Sequence, residues 1–152
     1  MEHKVKIMDP DQLIPQLLEL LEETDSVPLV ISGSSMTPFL VHRRDTVYLS
    51  KITHPPKRGD MILYQRDNGK YILHRVYQTG EDFTMVGDAQ TDMEHGIRLD
   101  QMLAQVTAVH RKGKLLQKGD PCWDFFEKVW IRMVSLRPAV RAVYARIHQF
   151  FD

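Results

Sequence analysis

Residues 61–78 read MILYQRDNGKYILHRVYQ, and this stretch decides the fold. Two runs of strand composition, MILYQRD and KYILHRVYQ, flank Asn68-Gly69. Asn-Gly readily takes the left-handed backbone of a tight turn, so the stretch predicts a β-hairpin. Within YILHRV, alternation assigns Ile72, His74 and Val76 to one face and Leu73 and Arg75 to the other. Towards the N-terminus, THPPKRGD (53–60) is a loop, because adjacent prolines exclude a regular helix. VPLVI (27–31) and DTVYLSKI (45–52) have strand composition. Towards the C-terminus, DFTMVGD (82–88) predicts a strand and a turn, and TDMEHGIRLD (91–100) a loop or irregular element. QMLAQVTAVHRKGKLLQKG (101–119) predicts two strands around Lys112-Gly113. Many short strands separated by turn signals predict a mainly β fold, a small antiparallel β domain.

The flanks differ from this core. In DPDQLIPQLLELLEET (9–24), Leu13, Ile14, Leu17, Leu18, Leu20 and Leu21 recur with helical period. Asp9 or Asp11 can cap the start and Pro10 suits a first turn, while Pro15 limits the early part, so the regular helix is expected to begin near Pro15. At the other end, Trp123, Phe125, Phe126, Val129, Trp130, Met133 and Val134 recur at roughly helical spacing, with Arg132, Arg137, Arg141 and Arg146 interspersed. Pro138 is expected to break this tail in two. The aromatics can cover the open side of the β domain. A basic amphipathic helix with tryptophans can also lie on a membrane surface, so peripheral membrane contact through 121–151 is a second expectation. The chain therefore divides into an N-terminal helix (1–25), a β domain (26–120) and an aromatic, basic helical tail (121–152).

Composition narrows the function. The 152 residues carry 20 Lys plus Arg against 20 Asp plus Glu, so formal net charge is zero and no nucleic-acid partner is advertised. Cys122 is the sole cysteine, which excludes an internal disulfide and fits a cytoplasmic home. No run approaches 18 apolar residues, and MEHKVKIMDPDQ lacks the apolar stretch of a secretory signal. The histidines are scattered, with no HExxH or CxxC spacing, so no metal or cofactor is expected.

The candidate chemistry lies in three places. The first is SGSSMTPFLVHRRDTVYL (32–49). The flexible lead-in Ser32, Gly33, Ser34 lets backbone amides converge near Ser35, as an oxyanion site requires. A serine becomes a nucleophile when a neighbouring base takes its proton. The second is His74, on an apolar strand face, where an imidazole can be a packed core residue or a general base near neutral pH. The third is MVGDAQTDMEHG (85–96), which holds Asp88, Asp92 and Glu94. A carboxylate on the far imidazole nitrogen would fix its tautomer, and the same carboxylates can simply form turns or meet solvent.

These segments resemble the type I signal peptidases and the cleavage domain of phage-type repressors. Ser35-Met36-Thr37-Pro38 is similar to the nucleophile box, 58-RGDMILY-64 to the strand entry that follows, and 72-ILHRV-76 to the general-base box. The base is lysine in the bacterial branch and histidine in the endoplasmic-reticulum, archaeal and sporulation branch. Finally, 87-GD-88 is similar to the start of the box that supplies the acid. The four boxes occur in family order over about residues 28–112. The resemblance implies a signal peptidase/LexA-like β fold and a serine endopeptidase that cleaves a precursor peptide or protein. It assigns Ser35 as nucleophile, His74 as base and Asp88 as the group orienting His74. The substrate would lie extended along strand edges.

Some positions depart from the signal peptidases. Gly33 stands where they carry an oxyanion-assisting serine, with Ser32 and Ser34 on either side, and in this the repressor relatives are closer. Those relatives use a lysine base, and Lys70 shares a strand face with His74. Ala89 follows Gly87-Asp88 where the histidine branch tends to have asparagine. The second family acid would fall on Glu94, with Asp92 as the other option. Two further readings stay open, an inactive binding or regulatory module on the same fold, and a self-cleaving regulator working with a DNA-binding partner.

Overall fold

A computed structural model describes residues 9–151. The expectation about a secretory signal falls largely on residues 1–8, which lie outside the described residues. The fold is a mixed α/β domain, with an N-terminal helix, an open antiparallel sheet and C-terminal helices.

Helix α1 runs Pro10–Leu21. The Asp9 side chain caps it by accepting from the Asp11 N–H, and Pro10 opens its first turn, where a missing N–H costs nothing. The sequence predicts a regular helix beginning near Pro15; it begins at Pro10, and Pro15 lies inside it. The hydrogen bond it forgoes is offset by packing, because Ile14 and Leu21 are buried in the main apolar cluster and Leu13, Leu17 and Leu18 lie against it.

Among the described residues the eight strands are β1 (Val27–Val30), β2 (Thr46–Ser50), β3 (Met61–Gln65), β4 (Tyr71–Gln78), β5 (Phe83–Val86), β6 (Glu94–Ile97), β7 (Met102–Arg111) and β8 (Lys114–Gln117). Their order in the sheet is β1-β2-β7-β3-β4-β5-β6. β8 folds back on the far end of β7, where Ala108 to Arg111 pair with Gln117 to Lys114. The hairpin that set the fold is present, with Met61 opposite Arg75 and Gln65 opposite Tyr71. Gly69 has φ 89° at its turn, the Gly69 N–H donates to the Arg66 carbonyl, and Asn68 Oδ1 accepts from the Lys70 N–H. A second tight turn uses Lys112 and Gly113, both with positive φ. The sequence predicts a loop or irregular element over 91–100, yet Glu94–Ile97 forms edge strand β6 on β5. Its pairing is short and bulged and Gly96 has φ 74°, which removed the alternation that marks a strand.

β4 separates two environments as alternation predicts. Ile72 and Val76 join Ile62, Tyr64, Phe83 and Met85 on one face. Tyr71 and Leu73 face the larger cluster with Met36, Phe39, Leu63 and α1.

The tail is not one amphipathic helix. A short helix α2 (Pro121–Asp124) leads into a π-helical turn (Phe125–Val129) and two 3-10 turns, Trp130–Arg132 and Val134–Leu136, before α3 (Arg137–Phe151). Irregular turns let Trp123, Phe126 and Trp130 all reach the main cluster, closing one side of the sheet. The tail divides beside Pro138: the irregular turns end at Leu136 and α3 begins at Arg137, with Pro138 its second residue, where proline is tolerated. No helix among the described residues is long and apolar enough to cross a membrane.

Candidate functional site

Ser35 lies on the loop between β1 and β2 and is half-buried. Buried Asp45 holds the loop, accepting from the Val41 N–H at 2.8 Å and from Arg44 Nε and Nη2. Burial works to raise the Asp45 carboxyl, but the bonds from Arg44 and Val41 outweigh it and keep it below its ordinary value. At the loop entrance the Gly33 N–H donates to His42 Nδ1 at 2.8 Å, and Gly33 has φ 89°. The backbone turns over at Ser34, whose carbonyl accepts from the Thr37 N–H and hydroxyl. Among the described residues, the N–H groups of Ser35 and Met36 have no acceptor, so both remain able to donate.

The contact that places Ser35 is with Gly87. The Ser35 carbonyl accepts from the Ala89 N–H at 2.9 Å, and a Cβ on Gly87 would lie 2.5 Å from that same oxygen. Along β5, Phe83 and Met85 face the side from which His74 projects, so alternation aims the missing Gly87 side chain that way too. Arg75 pairs with Val86, and continuing that register by one residue sets Gly87 beside His74. The Ser35 loop therefore crosses the end of β5 on the His74 side of the sheet. No hydrogen bond joins Ser35 to His74 among the described residues.

His74 is buried, 5% exposed. Its Nδ1 lies 3.3 Å from Tyr64 Oη. Tyr64 in turn donates a hydrogen bond to Glu94 Oε1, and Arg66 donates to both Glu94 oxygens. Burial and the Arg66 cation push the imidazole down to about 4, against the opposing pull of Glu94, so it is neutral at pH 7. Burial works to raise the Glu94 carboxyl, but bonds from Tyr64 and Arg66 outweigh it and hold it below the usual carboxylate range. Burial and the Glu94 carboxylate push the Tyr64 phenol well above its ordinary value.

Asp88, expected to orient His74, is held by Arg75 instead. Arg75 Nε and Nη2 reach the two carboxylate oxygens at 2.9 and 3.0 Å, with both side chains fully buried. Strand parity is the reason. His74 and Gly87 point to one face, while Arg75 and Asp88, each one residue further, point to the other. Asp92 is exposed. Lys70 is exposed at the hairpin turn, four residues and roughly 13 Å along the strand from His74, and lies outside the cleft.

Sequence reasoning missed the part of the tail that builds this site. Trp130 Nε1 donates to the Asp88 carbonyl at 2.8 Å, and Arg137 Nη1 donates to the carbonyls of Gly87 and Gln90. Arg141 Nη1 reaches the Ala89 carbonyl at 3.0 Å. Four consecutive carbonyls, 87 to 90, are thus gripped by three tail side chains. The alternation of aromatic and arginine residues was visible, but its target was not.

Two hollows flank the Ser35 loop. One is a cleft of about 130 Å³ between Ile31, Ser32, Gly33, Ser35 and Met36 on one wall and Tyr71, Ile72 and Leu73 on the other. β5 ends at Val86, so the first half of β4 has no partner on this side. The Lys70 carbonyl and the Val76 N–H bond towards β3, so alternation turns the main-chain groups of Tyr71 and Leu73 to the open edge. The other hollow is an apolar groove of about 470 Å³ between Thr37, Pro38, Ala89, Phe125, Trp130 and Val140. No cluster of three or more potential metal ligands occurs among the described residues. No protein-family model, curated protein or solved structure matches the chain.

Proposed function

We propose that the protein is a serine endopeptidase of the signal-peptidase-like type, cleaving a precursor peptide or protein. The observation that carries this reading is the seating of the Ser35 loop against Gly87. It brings a serine with free backbone N–H groups to the His74 face, at the end of an unpaired strand edge. The order of the four sequence boxes supports the same assignment. An extended substrate adds to the open edge of β4, bonding to Tyr71 and Leu73, with a small side chain in the cleft. Beyond Ser35 the chain meets the apolar groove. In this reading His74 accepts the proton of Ser35 Oγ as that oxygen attacks the scissile carbonyl. The Ser35 N–H donates to the resulting oxyanion. His74 then returns the proton to the leaving amine as the scissile C–N bond breaks, and a water that gives its proton to the same imidazole hydrolyses the acyl ester on Ser35.

The test is cleavage of a diverse peptide library, read by mass spectrometry, with wild type, Ser35→Ala and His74→Gln. Cuts after small residues that vanish in both variants are the expected result. A wild type that cleaves nothing, or a Ser35→Ala variant that cleaves equally well, overturns the reading. The missing Ser35–His74 hydrogen bond favours a second reading, a binding module on the same scaffold. Peptide binding without cleavage by the wild type would support it.

A further inference from the structure

We infer that Tyr64 and Glu94 are the positioning residues for His74, fixing its neutral ring with the proton on Nδ1 and the lone pair on Nε2. This rests on the proposed function only for its catalytic consequence; the tautomer itself follows from the hydrogen bonds. Tyr64 has one hydroxyl proton, and Glu94 Oε1 takes it. The two Arg66 bonds keep Glu94 ionised, so the carboxyl has no proton to give back. The Tyr64 oxygen therefore meets His74 Nδ1 as an acceptor, and that nitrogen must be the donor. A neutral imidazole with Nδ1–H has its acceptor at Nε2, the nitrogen a serine proton requires.

The geometry is specific to this chain of residues. Ile62 lies opposite His74 and Tyr64 opposite Ile72, so Tyr64 is the diagonal cross-strand neighbour of His74 on the same face. Met85 pairs with Glu94, which brings the carboxylate of edge strand β6 over the same surface. Edge strand β6 thereby has a role in the chemistry. Tyr64 is fully buried, so its hydroxyl has no water to turn to, and Glu94 is the partner that satisfies it. As positive charge develops on the imidazole during proton transfer, the Glu94 carboxylate, one hydroxyl away, stabilises it. A carboxylate in direct contact performs this service in a Ser-His-Asp triad.

The experiment is nitrogen-15 NMR on the histidine-labelled full chain, with the His74 signals identified by their loss in His74→Gln. Two-bond couplings to the ring protons report which nitrogen carries the proton. The expected wild-type result at neutral pH is a neutral ring protonated on Nδ1. Tyr64→Phe removes only the hydroxyl and should shift the ring towards the Nε2–H form. Glu94→Gln keeps an acceptor for Tyr64 and should retain the Nδ1–H form, whereas Glu94→Leu should lose it. With a cleavable peptide, Tyr64→Phe lowers kcat on the order of 10²-fold with KM unchanged. A wild-type ring protonated on Nε2 overturns the inference without any variant, as does a Tyr64→Phe protein that keeps both tautomer and kcat. An inactive wild type with the Nδ1–H tautomer sinks the peptidase reading and leaves the positioning inference standing.

Discussion

Replacing Gly87 by alanine tests whether the Ser35 loop is seated as described. Gly87 does not adopt a left-handed backbone, so alanine brings no conformational strain and the effect is steric. The new Cβ would lie 2.5 Å from the Ser35 carbonyl oxygen and 3.0 Å from Gln90 Oε1. The glutamine can swing away, but the backbone oxygen cannot, because the Ala89 N–H holds it at 2.9 Å. Restoring an ordinary contact moves the Ser35 carbonyl by about 1 Å. Such overpacking costs about 1–3 kcal/mol of stability. A displacement of that size at the proposed nucleophile costs on the order of 10²-fold in rate. Urea denaturation reads the first effect and peptide cleavage the second. Gly80→Ala is the control, since its Cβ would meet nothing closer than 3.5 Å. If Gly87→Ala keeps both wild-type stability and wild-type rate, Ser35 does not rest on Gly87 and the proposed site loses its anchor.

Three further predictions concern charge. Arg75→Met leaves the Asp88 carboxylate buried and unpaired, and should cost about 3–5 kcal/mol in urea denaturation; Arg75→Met combined with Asp88→Asn should be more stable than the single variant. His74, held down to about 4 in the fold against 6.5 unfolded, stays neutral while the unfolded chain protonates. Stability is thus full above pH 6.5 and falls by about 3 kcal/mol as pH drops to 4, a loss that His74→Gln should abolish; an unchanged pH profile in that variant refutes the assignment. From Lys128 to Phe151 the chain has five cations and no carboxylate, and α3 exposes Val140, Val143 and Ile147 along one stripe. The protein should therefore sediment with anionic vesicles at low salt and not with zwitterionic ones, and Val143→Asp with Ile147→Asp should abolish this; binding that survives both changes places the contact elsewhere.

The sheet was legible where the residues themselves impose the geometry. Asn68-Gly69 and Lys112-Gly113 dictate tight turns, and the YILHRV alternation correctly separated His74 from Leu73 and Arg75. Edge strand β6 was not legible, since a four-residue strand with a glycine and a bulge carries no period. The tail was legible as apolar but not in shape, because its turns follow the surface they cover. In the site, adjacency in sequence misled. Asp88 next to a glycine turn invited pairing with His74, while the buried arginine one residue beyond His74 competes for the same carboxylate with two hydrogen bonds. Glu94 was only one option among several acids because its link to His74 passes through Tyr64, a residue with no sequence signal of its own.

The dipeptide Gly87-Asp88 shows why the tail belongs to the site rather than beside it. Successive residues of an extended chain serve opposite faces, so the glycine admits the Ser35 loop on one side while the aspartate anchors to Arg75 on the other. That arrangement holds only if the backbone between them cannot rotate. β5 has ended at Val86, and the sheet no longer fixes it. Trp130, Arg137 and Arg141 take over by binding the four carbonyls from Gly87 to Gln90. Arg137 is 1% exposed, and burial pulls its guanidinium below its ordinary value, a cost accepted in exchange for three carbonyl bonds. A buried cation spent on main-chain carbonyls makes sense where the position of that main chain matters, and here it sets where Ser35 sits relative to His74.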